Sequence, residues 1–163
     1  MKCYVLIVSD FFPKYHKRAG EETGFSRGII NKDKIHTLRL NWKLWEKRFE
    51  KISKGEAYIS VRKWSDKPYR SKQVLIRNFY KEDGIGFEIM RTGIFGVCMS
   101  AVVYNRPDYP IIAKNDGLTH DDFTDWFKDV PANTYIGCIH FTEFRYDVRN
   151  EEFEEAFNNL FEN

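Results

Sequence analysis

Cysteine is scarce in this chain: three in 163 residues, at Cys3, Cys98 and Cys138. They are odd in number, far apart and set among apolar neighbours. That argues against a disulfide framework and a zinc cluster, and for buried thiols in a reducing compartment. Long apolar runs are missing as well. The run Cys3-Tyr4-Val5-Leu6-Ile7-Val8 stops at Ser9-Asp10 without a small-residue cleavage site, so it reads as a buried strand and not as a signal peptide. A mean hydropathy of -0.56 with 31% charged residues excludes a membrane-embedded chain. No internal repeat, low-complexity tract or Pro/Ser-rich linker marks a boundary. The expectation is therefore a cytoplasmic protein with one domain over residues 1–163, ending in a helical extension at about 150–162.

Aromatic residues, by contrast, are abundant at 17% of the chain. Charge is unevenly spread. Residues 1–82 hold 20 Lys+Arg against 9 Asp+Glu, and residues 83–163 hold 6 against 15. A basic half suits a polyanion such as RNA, and an acidic half suits solubility or a protein partner. The alternative is that the two halves interleave and their charges form ordinary surface pairs.

Hydrophobic spacing predicts strands at about 3–9, 35–40, 57–64, 73–80, 86–90, 95–104 and 135–146. Helices are predicted near 25–30, over 41–54, from Thr119 to Pro131, and at the C-terminal end. Asn41 is positioned to cap the second helix, whose residues Trp42, Trp45, Phe49 and Ile52 recur at helical spacing before Gly55. Thr119 caps the third, with Asp122 answering as a capping box and Leu118 stapling onto Phe123. The strands at 57–64 and 73–80 pair as a hairpin. Gly84-x-Gly86 reads as another hairpin turn and not as a phosphate loop, because no third glycine or helix follows. This pattern gives an α+β chain built as a small mixed β-barrel with flanking helices.

Chemistry concentrates at Lys34-Ile35-His36-Thr37-Leu38-Arg39. Thr37 and Arg39 are two apart on a predicted strand and leave on the same face, with Lys34 at its entry. A threonine hydroxyl attacks only if a neighbour takes its proton, and a lysine beside arginines has a lowered pKa. The plainer alternative makes Thr37 a strand residue and Lys34 a solvated turn residue. A second cluster lies around the predicted hairpin tip, where Arg62, Lys63, Arg70 and Lys72 interleave with Trp64 and Tyr69. Cations meet phosphates and rings stack on bases, so this composition suits single-stranded nucleic acid or a nucleotide. It also suits a solvated edge that deters aggregation. His16, His36, His120 and His140 show no metal-ligand spacing, and neither a metal nor a cofactor is expected.

The K-x-x-T-x-R pattern of Lys34, Thr37 and Arg39, set after a helix and turn and followed later by polar residues ahead of a capped helix, resembles the ASCH domains of the PUA-like superfamily. The resemblance covers about residues 25–127 and extends to a longer branch of the kind carried by bacteria and phages. It implies a compact PUA-like barrel associated with RNA. It is similar at the same motif to small amidohydrolases that remove acyl groups from N4-acylated cytidines. Carried across, the roles of nucleophile, base and completing carboxylate fall on Thr37, Lys34 and Asp116, where those enzymes hold a glutamate. Asp116 also reads simply as part of an Asn115-Asp116-Gly117 turn. The expected ligand is RNA or a modified nucleoside, held by Arg39 and by the hairpin residues. The alternative is a non-catalytic protein-interaction module that uses the acidic C-terminal half.

Overall fold

The computed structural model describes residues 1–92, 99–100 and 109–146. In chain order the elements are β1 (Lys2–Ile7), α1 (Phe25–Asn31), β2 (His36–Arg39), α2 (Trp42–Ser53), β3 (Ala57–Trp64), β4 (Gln73–Phe79), β5 (Gly86–Thr92), β6 (Met99–Ser100), α3 (Tyr109–Asn115), α4 (His120–Trp126) and β7 (Tyr135–His140). The chain is α+β. Among the described residues the strands form two sheets, ordered β1-β3-β4 and β2-β7-β5-β6.

The four-stranded sheet is buried on both faces. Cys138 and Ile136 of β7 point into one hydrophobic cluster with Leu38, Met90, Phe123 and Phe127. Ile139, one residue on, points the opposite way into a second cluster with Trp45, Phe49, Ile59 and Val61. Period-two alternation of side chains produces this split. Helix α2 supplies Trp45, Phe49 and Ile52 to the second cluster from one face. Asn41 occupies its N-cap position but makes no side-chain capping bond.

The 57–64 and 73–80 hairpin is present, with Ile59 opposite Phe79 and a register shift between Val61 and Arg62. Several other expectations need correction. Gly84 does not turn a hairpin. It closes a 3₁₀ turn at φ 75° between β4 and β5, which belong to different sheets. The strand expected to reach 146 stops at His140, one residue before Phe141, whose N–H still bonds Ile35 O at 2.8 Å in register with the β2–β7 ladder. Thr119 Oγ1 accepts from Asp122 N–H at 3.1 Å, yet the Asp122 carboxylate turns to Arg18 at 2.7 Å and does not complete a capping box. Helix α4 ends at Trp126, ahead of Pro131. Cys3 is exposed where a buried thiol was expected, because β1 is an edge strand with only one face on the core.

Helix α3 was not anticipated. Its sequence carries the signals nonetheless: Pro110 in the first turn, where no hydrogen-bonded N–H is lost, and Gly117 just beyond the end at φ 78°. The predicted C-terminal helix and most of the 95–104 strand lie outside the described residues, as does Cys98.

Candidate functional site

Lys34 follows the end of α1, where the N–H groups of Asp33 and Lys34 both bond Gly28 O, at 2.8 and 3.0 Å. Those bonds wrap the chain back over the helix end. Two glycines make room for the lysine stem, since a Cβ added at Gly28 or at Gly117 would stand 3.1 Å from Lys34 Cβ. Asp116 comes from the other side, just past α3, where its N–H bonds Ile112 O at 2.9 Å. Ile35 N–H bonds Asn115 O at 2.9 Å and ties the entry of β2 to the same helix end.

The result is a buried ion pair. Lys34 is 1% exposed and Asp116 4%. Lys34 Nζ donates to Asp116 Oδ1 and to Asp116 O, both at 2.6 Å. The Phe25 ring centroid lies 4.0 Å from the same nitrogen, a cation–π contact. Burial draws the Lys34 amine below the usual lysine range, against the pull of Asp116, and Arg39 lowers it further. Burial pushes the Asp116 carboxyl up, but Lys34 and His36 together outweigh it and hold the carboxyl below its ordinary value.

Thr37 belongs to the same place. Arg39 Nη1 donates to Thr37 Oγ1 and to Leu38 O, each at 2.8 Å, while Nη2 donates to Ile7 O at 2.7 Å. The guanidinium thus joins β2, the edge of one sheet, to the end of β1, an edge of the other. Between them lies a cavity of about 220 Å³ lined by Lys34, Thr37, Arg39 and Asp116, with Phe25, Trp126 and Phe127 as aromatic walls. The groups expected to act together therefore share one cavity. No hydrogen bond joins Thr37 to Lys34 among the described residues: the hydroxyl is held by Arg39, and the amine by Asp116.

The hairpin cluster is placed elsewhere. Lys63 and Trp64 line a separate cavity of about 360 Å³ with Asp10, Ser26 and Arg27, and Lys63 Nζ bonds Asp10 Oδ2 at 2.5 Å. Arg62, Tyr69, Arg70 and Lys72 line neither cavity. Tyr69 stands 89% exposed beside Trp64, ring centroids 5.3 Å apart, so it does not pack back on the core. A third cavity of about 300 Å³ shares Phe25 and Lys34 with the first and Gly24 and Arg27 with the hairpin cavity.

Behind the ion pair runs a buried polar chain that sequence reasoning mostly missed. His36 Nδ1 faces Asp116 Oδ1 at 3.6 Å, and His36 Nε2 is 2.8 Å from the Tyr146 hydroxyl. Asn115 Nδ2 donates to that hydroxyl at 2.8 Å, which leaves the tyrosine proton available for His36 Nε2 in the tautomer that carries its own proton on Nδ1, the nitrogen facing Asp116. Burial keeps His36 below its ordinary pKa, and burial pushes the Tyr146 hydroxyl up. His140 lies directly across the ladder from His36 and bonds Glu88 at 2.8 Å. The thiol of Cys138 is pushed well up by burial, and Glu88 and Asp116 add to the effect. The pairing of β2 and β5 with β7 brings His36, His140, Cys138 and Glu88 together, and no local spacing announces it.

None of the family models, curated proteins or solved structures compared with the chain matches it. No cluster of three His, Cys, Asp or Glu side chains able to hold a metal occurs among the described residues. No helix among them is long and apolar enough to cross a membrane.

Proposed function

We propose that this chain is an ASCH-type, PUA-like protein that binds a nucleobase, as a modified nucleoside or as part of an RNA, in the cavity between β1 and β2. The barrel of that family would be completed where Arg39 bridges the two sheet edges. One observation carries the reading: Lys34, Thr37, Arg39 and Asp116 meet around one 220 Å³ space with aromatic walls. That volume is below the roughly 300–1,000 Å³ of sites for drug-sized ligands, so it suits a single ring system and not a whole nucleotide. The chemistry suits a base edge. Arg39 donates to the Thr37 oxygen, which leaves the threonine proton for a ring nitrogen or carbonyl, while the Asp116 carboxylate accepts from an exocyclic amine. Phe25, Trp126 and Phe127 offer faces or edges to the ring.

A hydrolytic version of this reading is favoured by the burial of Lys34, which eases loss of its proton. Thr37 Oγ would attack the acyl carbon of an N-acylated base, with Lys34 accepting the hydroxyl proton and returning it to the leaving amine. Water would then release the acyl group from Thr37, and Asp116 would orient the lysine throughout.

Calorimetric titration with cytidine and N4-acetylcytidine, with product analysis in parallel, tests both versions. Saturable binding lost in Thr37→Val and Lys34→Met supports the site. Deacetylation lost in the same variants supports the enzyme. Folded protein that binds neither nucleoside, or binds them equally well in both variants, refutes the reading.

A further inference from the structure

We propose that the outer face of the three-stranded sheet is a stacking platform for single-stranded nucleic acid, separate from the Lys34 cavity. Ile59 and Val61 of β3 are fully buried, so alternation sends Tyr58, Ser60, Arg62 and Trp64 to the opposite face. On that face the neighbouring strands leave Cys3 exposed, Val5 36% exposed and Leu75 52% exposed, while Tyr58, Arg62 and Trp64 are half-buried and the small Ser60 between them is fully buried.

Two aromatic pairs stand at the ends of the β3 stripe. Tyr58 and Tyr80 stack with centroids 5.0 Å apart and planes at 23°. Trp64 and Tyr69 lie 5.3 Å apart at 50°. From Tyr58 to Trp64 the strand runs about 20 Å. That is room for the two or three bases that aromatic residues of an RRM sheet stack. Between the pairs, Arg62 Nε donates to Ser60 Oγ at 2.9 Å, which lays the guanidinium along the sheet where a base or a phosphate can meet it. Beside Ser60, across the ladder, the amide of Asn78 has a buried Oδ1 with no hydrogen-bond partner among the described residues.

Charge selects the occupant. Of the seven Lys and Arg in the three strands and their hairpin tip, Lys63 and Arg77 pair with Asp10 and Asp83, while Arg62 on the face and Lys67, Arg70 and Lys72 at the tip stand against one acid, Asp66. A protein partner for an apolar sheet face has no need of that excess, whereas a polyanion does. Lys67, Arg70 and Lys72 stand exposed at the tip, just beyond the second aromatic pair, where a strand leaving the platform would run.

The test is fluorescence anisotropy of a labelled oligouridylate with the full-length protein at low and raised salt. Binding is expected to weaken about 5- to 100-fold in Tyr58→Ala and in Trp64→Ala. Arg62→Ala is expected to flatten the salt dependence. Leu44→Ser, an exposed change on α2, keeps the affinity of the parent. Tyr58→Leu retains an apolar strand residue and removes only the ring, so its loss of binding with an unchanged melting curve excludes misfolding as the cause. Undetectable binding by folded protein at low salt overturns the proposal, as does equal affinity for a duplex or indifference to Tyr58→Leu and Trp64→Ala. Cavity and platform separate by variant. Loss with Thr37→Val and none with Tyr58→Leu assigns the oligonucleotide to the cavity and overturns the platform, while the reverse pattern supports the platform whatever the cavity binds.

Discussion

Lys34 and Asp116 are 82 residues apart in the chain and 2.6 Å apart in space. Neither could remain charged in that interior alone, because taking a single ion out of water costs several kcal/mol. The pair is also where two halves of the protein meet, the turn after α1 and the end of α3. Lys34 therefore joins elements as well as lining a cavity, and removing one partner should act on stability before it acts on any ligand.

Asp116→Ala leaves the Lys34 amine buried without its counter-ion. The expected loss is about 3–5 kcal/mol, a fall in Tm of roughly 6–20 °C for a domain of this size. The double variant Lys34→Met with Asp116→Leu removes both charges and should recover much of that loss. Urea unfolding of the two proteins checks the prediction; equal losses in both would contradict the charge explanation.

Acid should destabilise the protein in two windows. His36 has a folded pKa below its ordinary 6.5, so below about pH 6.5 the unfolded chain binds the proton first and stability falls as pH falls toward the folded value. Asp116 also has a lowered folded pKa, so its contribution is complete above the ordinary 3.8 and is lost as pH drops through the folded value. Unfolding free energies measured from pH 7 to pH 5 should decline with a slope that His36→Gln reduces. An unchanged slope in that variant would show that His36 does not titrate in the window.

Arg39→Lys should loosen the junction between the sheets. One guanidinium reaches Thr37 Oγ1, Leu38 O and Ile7 O together. A single ammonium cannot match that fork, so at least one charge-assisted bond is lost, worth about 1.5–3 kcal/mol. Hydrogen exchange at the end of β1 should quicken in the variant, and exchange in the core of β3 should change least.

Where local chemistry sets the structure, the sequence was readable. Helix α2 follows from four aromatic and aliphatic residues at helical spacing, and the β3–β4 hairpin follows from alternation around a polar turn. The K-x-x-T-x-R motif located one wall of the cavity because Thr37 and Arg39 share a strand face, and Asp116 joined them through resemblance alone. The division into two sheets was not readable, since partner choice between strands is a long-range matter that single-strand patterns do not encode. The same reason hid the polar interior. His36 and His140 look like isolated residues until β2 pairs with β7, and Tyr146 meets His36 across 110 positions of sequence.

Tyr146→Phe tests that interior directly. The substitution keeps the ring, which packs edge-on to His36 at 5.6 Å, and removes only the hydroxyl between His36 and Asn115. Two buried polar groups lose their shared partner, and the expected cost is about 1–3 kcal/mol. The tautomer supplies a second reading. In the parent protein ¹⁵N NMR should find the His36 proton on Nδ1, because Nε2 accepts from tyrosine. Without the hydroxyl that constraint is gone, and Nε2 can take up the proton once Asn115 turns its carbonyl toward the ring. A parent spectrum with the proton already on Nε2 would mean that Tyr146 accepts from His36 instead, and that the chain from Tyr146 to Asp116 is oriented the other way.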